Sequence, residues 1–188
     1  MTARIFLLIG SPAVGKTATA HALAERFERG AYIRVDGFRE IVVSGYVYPD
    51  EAWGPEVALQ VRLARESAIA TAMRYADAGF TVTIDDFWDP FELPEYRDLL
   101  ARDDVLGVLV YPSEAEAHRR NLARSINPDY IEWGIRYVYG LLSTTSAPER
   151  LRDQGWLILD NTTIDLETAV NAILEYAAEP AARDIREG

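Results

Sequence analysis

The amino-acid sequence predicts an α/β protein: a three-layer α/β/α P-loop NTPase fold on a five-stranded parallel sheet, with a helical lid. Two observations carry that prediction. Apolar runs of four to six residues alternate with helical patterns, which is how βαβ units with a buried parallel sheet read in sequence. Residues 10–17 read Gly10-Ser11-Pro12-Ala13-Val14-Gly15-Lys16-Thr17, a complete G-x-x-x-x-G-K-[ST] phosphate loop between an apolar run and a helical pattern, as the motif requires.

The first run, Ile5-Phe6-Leu7-Leu8-Ile9, makes a strand over about 4–9, and Thr19-Ala20-His21-Ala22-Leu23-Ala24 belongs to the helix after the loop. The second strand covers about 31–35 and ends at Val35-Asp36. Gly54-Pro55-Glu56 opens a long helix with proline at its first position, and Gly79 closes it. Thr81-Val82-Thr83-Ile84 is the third strand and runs into Asp85-Asp86. The fourth spans 105–110, and Ser113 with Glu116 forms a capping box ahead of an arginine-rich helix. The lid is expected at about 114–140, within a single domain over 1–180. Trp156-Leu157-Ile158-Leu159 is the fifth strand, before Asp160. The last helix carries Leu166, Ala169, Val170, Ile173, Leu174 and Ala177 on one face, and Thr162 with Asp165 suits its cap. Residues 181–188 carry no core pattern and are expected to fray. Two connections, 37–54 and 87–96, are long and aromatic, and long connections in a compact domain tend to be functional.

Composition narrows the function. The 188 residues suffice for one substantial core. The absence of cysteine excludes disulfides, thiolate metal sites and cysteine nucleophiles. No run approaches the ~20 apolar residues of a membrane span, and the N-terminus enters the first strand directly rather than through a leader. A cytoplasmic location is therefore expected. With 30 acidic against 19 basic residues, the net charge of −11 repels nucleic acid and anionic membranes. The expected partner is a small molecule, and both monomer and homodimer stay open. His21 and His118 do not have metal-ligand spacing and are expected to be structural.

In a phosphate loop the glycines let N–H groups curl around phosphate oxygens, and the helix N-terminus adds positive potential. Gly10, Ser11, Pro12, Ala13, Val14, Gly15, Lys16 and Thr17 are expected to hold ATP, with Lys16 on the β- and γ-phosphates and Thr17 on Mg²⁺. Phosphoryl transfer needs in addition a base and cations for the moving charge. Asp36, with Gly37 beside it to allow close approach, is the expected base and an acceptor contact. Asp85 and Asp86 point to opposite faces if the strand continues. Asp85 is expected on the metal and Asp86 on the acceptor, although their roles are interchangeable at this level. Arg39, Trp53 and Trp88, from the aromatic connections, complete the expected acceptor site. Arg119 and Arg120 lie roughly 100° apart on a helix, so one of them is expected to stack on the adenine. Arg124 is expected to close on the phosphates as a catalytic cation, and Asn161 to come near the base.

With these residues in place the chain resembles the small P-loop kinases, the group containing shikimate and gluconate kinases, zeta-toxin kinases and chloramphenicol phosphotransferase, the last most of all. The likeness rests on the loop at 10–17, Val35-Asp36, Gly54-Pro55-Glu56, and Ala78-Gly79 leading to Ile84-Asp85-Asp86. The resemblance implies ATP- and Mg²⁺-dependent transfer of the γ-phosphoryl group to the hydroxyl of a small molecule, an antibiotic or a metabolite, with Asp36 as base. It leaves the acceptor unnamed, because 38–53 and 126–142 match no one member. Two other readings stay open: a nucleotide-binding regulatory or sensor ATPase without a small-molecule acceptor, and a kinase of nucleic-acid ends, against which the net charge speaks. A GTPase switch is disfavoured. No Asn-Lys-x-Asp motif occurs, and Asp85-Asp86-Phe87-Trp88 stands in place of Asp-x-x-Gly.

Overall fold

The computed structural model describes residues 4–49, 53–89, 91–124 and 128–179, without the side chains of Arg124 and Pro128. Fraying of 181–188 and the contact expected of the Arg124 side chain lie outside the described residues. The elements in order are β1 (Ile5–Ile9), α1 (Lys16–Ala24), β2 (Gly30–Arg34), α2 (Val35–Arg39), α3 (Pro55–Asp77), β3 (Thr81–Asp85), a 3₁₀ turn (Pro94–Tyr96), α4 (Arg97–Leu100), β4 (Val105–Val110), α5 (Glu114–Arg124), α6 (Pro128–Thr144), α7 (Ala147–Asp153), β5 (Leu157–Leu159) and α8 (Leu166–Ala178).

All five strands are parallel, in the order β2-β3-β1-β4-β5. β1 is central and wholly buried, which its unbroken apolar sequence requires of a strand covered on both faces. Alternate residues then feed opposite cores. Ile5, Leu7 and Ile9 pack with α3, α4 and α7. Phe6 and Leu8 pack with α1, α5 and α8. The alanines at 64, 68, 72 and 76 form the buried stripe of α3 and let that helix lie close to the sheet. α6 closes one end of both cores, with Val138 and Leu142 in the first and Ile135 and Tyr139 in the second. The three-layer arrangement is the one the sequence predicts.

Local differences have local causes. The second strand stops at Arg34, and Val35 and Asp36 form the first turn of α2 instead of the strand's end. Five helical residues are too few to show a 3.6-residue period, and so α2 is invisible to patterning. Ser113 Oγ accepts from the Glu116 amide at 3.3 Å, but the Glu116 carboxylate turns to Arg119 and Arg120, so only half of the capping box exists. Asp165 caps α8, accepting from the Thr168 amide at 2.8 Å. Thr162, expected to share that role, accepts from the Ser113 amide at 2.7 Å instead. The span expected as a lid holds α5 and α6, and its last part belongs to the core through the fully buried Ile135 and the buried Val138 and Tyr139.

Candidate active site

The carboxyl ends of β1, β2 and β3 open on one cleft of about 290 Å³, bordered by Pro12, Lys16 and Thr17 on one side and by Asp36, Arg39 and an aromatic wall on the other. Ligands of open α/β sheets bind at this end.

The phosphate loop is set by its glycines. Gly10 has φ +149°, and a Cβ there would lie 2.5 Å from the Val110 carbonyl oxygen. Gly15, at φ +98°, caps α1 without a side chain. Ala13 also holds a left-handed φ of 62°, a strained conformation that recurs at functional loops. Two groups brace the loop from behind. Asn161 Nδ2 donates to the Val14 carbonyl at 3.0 Å, and an Arg120 guanidinium nitrogen donates to the same oxygen at 2.9 Å. Arg120 also bonds the Asn161 carbonyl at 2.6 Å and Glu116 at 2.7 Å. In a planar trans peptide the C=O and the next N–H point in opposite directions. Holding Val14 C=O outward therefore turns the Gly15 N–H into the loop. Lys16 Nζ donates to the Ser11 carbonyl at 2.7 Å, while the buried Ser11 Oγ has no hydrogen-bond partner among the described residues. A strained cradle with an orphaned hydroxyl fits a polyphosphate.

This bracing shows what the two arginines and Asn161, expected near the nucleotide, meet within the protein. Arg120 contacts the outer rim of the loop. Arg119 is largely exposed and forms a forked pair with Glu116, both bonds at 2.6 Å. Asn161 supports the loop through Nδ2, and its buried Oδ1 has no hydrogen-bond partner among the described residues.

Asp85, the last residue of β3, meets the loop helix: Thr17 Oγ1 donates to its Oδ2 at 2.6 Å, and Tyr32 Oη donates to the same oxygen at 3.2 Å. Burial pushes the Asp85 carboxyl up, while the Thr17 hydrogen bond and the Lys16 charge pull the other way. A hydroxyl beside a carboxylate, both of oxygen, is the donor set that suits Mg²⁺. The pair is compatible with the Mg²⁺ expected at Thr17 and Asp85.

Asp86, expected on the acceptor, is held by the protein itself. It borders the cleft, but both its oxygens are taken: Arg65 Nε and Tyr96 Oη donate to Oδ2 at 2.6 and 3.1 Å, and the Phe87 amide donates to Oδ1 at 2.8 Å. Arg65 is completely buried on α3, and it also pairs with Asp89 and, at 3.1 Å, with Glu95. The sequence reading missed Arg65 and Gln60, yet a signal existed. Both stand on the stripe of Val57, Val61, Ala64 and Ala68 that α3 buries, where a polar residue needs partners. Gln60 finds them in the loop before α3, accepting from the Val47 amide at 3.1 Å and donating to the Gly45 carbonyl at 2.7 Å.

Asp36 sits half-exposed in the first turn of α2, with Arg39 NH1 3.5 Å from its Oδ1. Arg39 is nearly buried, donates to the Val47 carbonyl at 3.0 Å, and lies 5.1 Å from the Tyr46 ring centroid. It lines the cleft, and its guanidinium is shared between Asp36 and the Val47 carbonyl, while its buried Nε has no hydrogen-bond partner among the described residues. Trp53 packs edge-on to Phe87 at 5.9 Å, and buried Trp88 lines the floor. Across the cleft, Trp133 and Tyr137 stack at 5.1 Å, while Tyr46, Tyr48 and Tyr130 form a ladder of edge contacts at 4.9 and 5.8 Å. Among the described residues each carboxylate on the acceptor side has a cation: Asp36 has Arg39, Glu40 has Arg34, and Asp86 has Arg65.

This geometry agrees with the comparisons to known proteins. The family model described as "Chloramphenicol phosphotransferase-like protein" matches residues 3–135. The chain belongs to that family. None of the curated proteins matches it. Among solved structures it is similar to a shikimate kinase from Acinetobacter baumannii in complex with shikimate, at 16% identity over 93% of this chain and 92% of that one, with a TM-score of 0.61. A gluconokinase from Sinorhizobium meliloti 1021 gives 18% identity, 92% and 90% coverage and a TM-score of 0.55. A sugar kinase from Janibacter sp. HTCC2649 gives 18%, 96% and 98%, and 0.56. At such identities the structures speak for the P-loop kinase fold, which this family member shares.

Proposed function

We propose that this protein is an ATP-dependent phosphotransferase whose acceptor is a neutral small molecule carrying a hydroxyl and a flat, apolar body. The observation that carries the proposal is a single cleft in which the phosphate loop and the Thr17–Asp85 pair face Asp36 and the aromatic wall. Thr17 and Asp85 would hold Mg²⁺, which supplies charge neutralisation on the polyphosphate. Lys16 counters negative charge on the transferring group, and Arg124 is proposed to do so from the end of α5. Asp36 orients the acceptor hydroxyl and takes its proton as that oxygen bonds to the γ-phosphorus and the bond to the departing nucleoside diphosphate breaks. Arg39 keeps Asp36 in place. Among the described residues the acceptor-side carboxylates are paired, and Arg39 is held by Asp36 and the Val47 carbonyl with only its buried Nε unbonded, which supports a neutral acceptor. The aromatic wall suits a ring.

The reading is tested by measuring nucleoside diphosphate release with panels of neutral aromatic alcohols and of sugar acids. Stimulation by the first panel is expected, and turnover with sugar acids alone would overturn the acceptor class. No stimulation by any hydroxyl compound would favour a sensor ATPase. Asp36→Asn should keep ATP affinity and lose transfer by ~10²-fold or more. Undiminished transfer in single-turnover kinetics would remove Asp36 as the base.

A further inference from the structure

Tyr32 belongs to no motif, and nothing in the spacing of the chain singles it out. It is the third residue of β2, and its register partner on β3 is Thr83, two residues before Asp85. Residues two apart on a strand share a face. Tyr32, Thr83 and Asp85 therefore stand on the face toward α1, where Thr83 Oγ1 donates to the Ala20 carbonyl at 2.9 Å. The diagonal from Tyr32 to Asp85 is one that a long side chain can span. The phenol spans it, and it is held there: its ring meets the His21 ring of α1 edge-on at 5.6 Å and packs against the core on that face.

The consequence lies in where the bond lands. Thr17 Oγ1 and Tyr32 Oη both donate to Asp85 Oδ2, from α1 and β2 respectively. One donor restrains a carboxylate's turn about its Cβ–Cγ bond only as far as that donor's own side chain is held. Two donors from different elements fix that torsion. Thr17 can keep its proton on Asp85 while offering an oxygen lone pair to a cation, whereas Tyr32 takes no part in ligation.

We propose that Tyr32 is a positioning residue for the divalent cation: its hydrogen bond, with that of Thr17, locks the Asp85 carboxylate in the orientation that receives the metal accompanying the nucleotide. This rests on the phosphotransferase reading of the same cleft. The test is ADP binding by calorimetry, across a Mg²⁺ series and in EDTA, for the wild type, Tyr32→Phe, Asp85→Asn and the double variant. Tyr32→Phe should raise the Mg²⁺ concentration for half-maximal enhancement roughly three- to tenfold, leave ADP affinity in EDTA unchanged, and add nothing in the Asp85→Asn background. An unchanged Mg²⁺ midpoint overturns the role of Tyr32, as does an equal shift in the Asp85→Asn background. A loss of affinity equally large in EDTA marks a packing defect and also overturns it. Each of these leaves the nucleotide reading standing, whereas a wild type that binds no ADP under any condition overturns both.

Discussion

Arg65 has no exposed surface, and a guanidinium in that position persists only because Asp86, Asp89 and Glu95 surround it, together with the Phe87 carbonyl. Removing one partner of such a cluster leaves uncompensated buried charge. Arg65→Met should therefore cost about 3–5 kcal/mol, measured by urea denaturation, and Asp86→Asn in the same chain should recover part of it. The pH dependence follows in sign. Burial already holds the Asp86 carboxyl above its ordinary 3.8, so the folded state takes up the proton before the unfolded state does. As pH falls from neutral through the raised value toward 3.8, the Arg65→Met protein should lose less stability relative to wild type, with no further relief below that. A deficit independent of pH would place the damage in packing rather than in charge. This cluster is also why Asp85 and Asp86 could not be told apart in sequence. The residue that claims Asp86 lies 21 positions earlier, on a helix whose contact with β3 no local pattern reveals.

Among the elements, α5 shows how a helix acts through its position. Its Arg120 reaches the Val14 and Asn161 carbonyls, while the neighbouring Arg119 stays in solvent against Glu116. Arg120→Ala removes two charge-assisted bonds behind the phosphate loop and should weaken Mg-ADP binding about tenfold or more, since such bonds contribute roughly 1.5–3 kcal/mol each. Arg119→Ala removes only a solvent-screened surface pair and should change binding little. Calorimetry on the two variants decides, and the reverse order would return Arg119 to the nucleotide. Glu116 serves both arginines, and its carboxyl is lowered to about 2 by their hydrogen bonds. Its support is thus present above 4.5 and is withdrawn as pH falls toward 2, which a carbon-detected NMR titration of Glu116 would follow. Helical spacing could say that only one of the two arginines faces the site. It could not say that this one would meet the loop's backbone, because that contact spans 106 residues of sequence.

At the scale of the whole molecule, what could be read in advance was what repeats or is contiguous. Five apolar runs and an eight-residue loop specify the fold class, and the motif alone singles out Lys16 and Thr17. The strand order is different in kind. β3 inserts between β1 and β2, so Thr17, Tyr32 and Asp85 meet only once non-sequential strands pair. The same order makes the nucleotide site a junction of the sheet. The loop leaves β1, its bracing comes from α5 and from Asn161 after β5, and the carboxylate bonded to its Thr17 ends β3. A ligand bound there touches elements from both cores and favours the folded chain by mass action. At 100 times its dissociation constant, Mg-ADP should stabilise the protein by about 2.7 kcal/mol, which for a chain of this length corresponds to a rise of roughly 5–10 °C in Tm. Lys16→Ala should melt near the ligand-free wild type and show no such rise. An undiminished shift in that variant would mean that the nucleotide binds elsewhere, and the phosphate loop would then have to be explained without it.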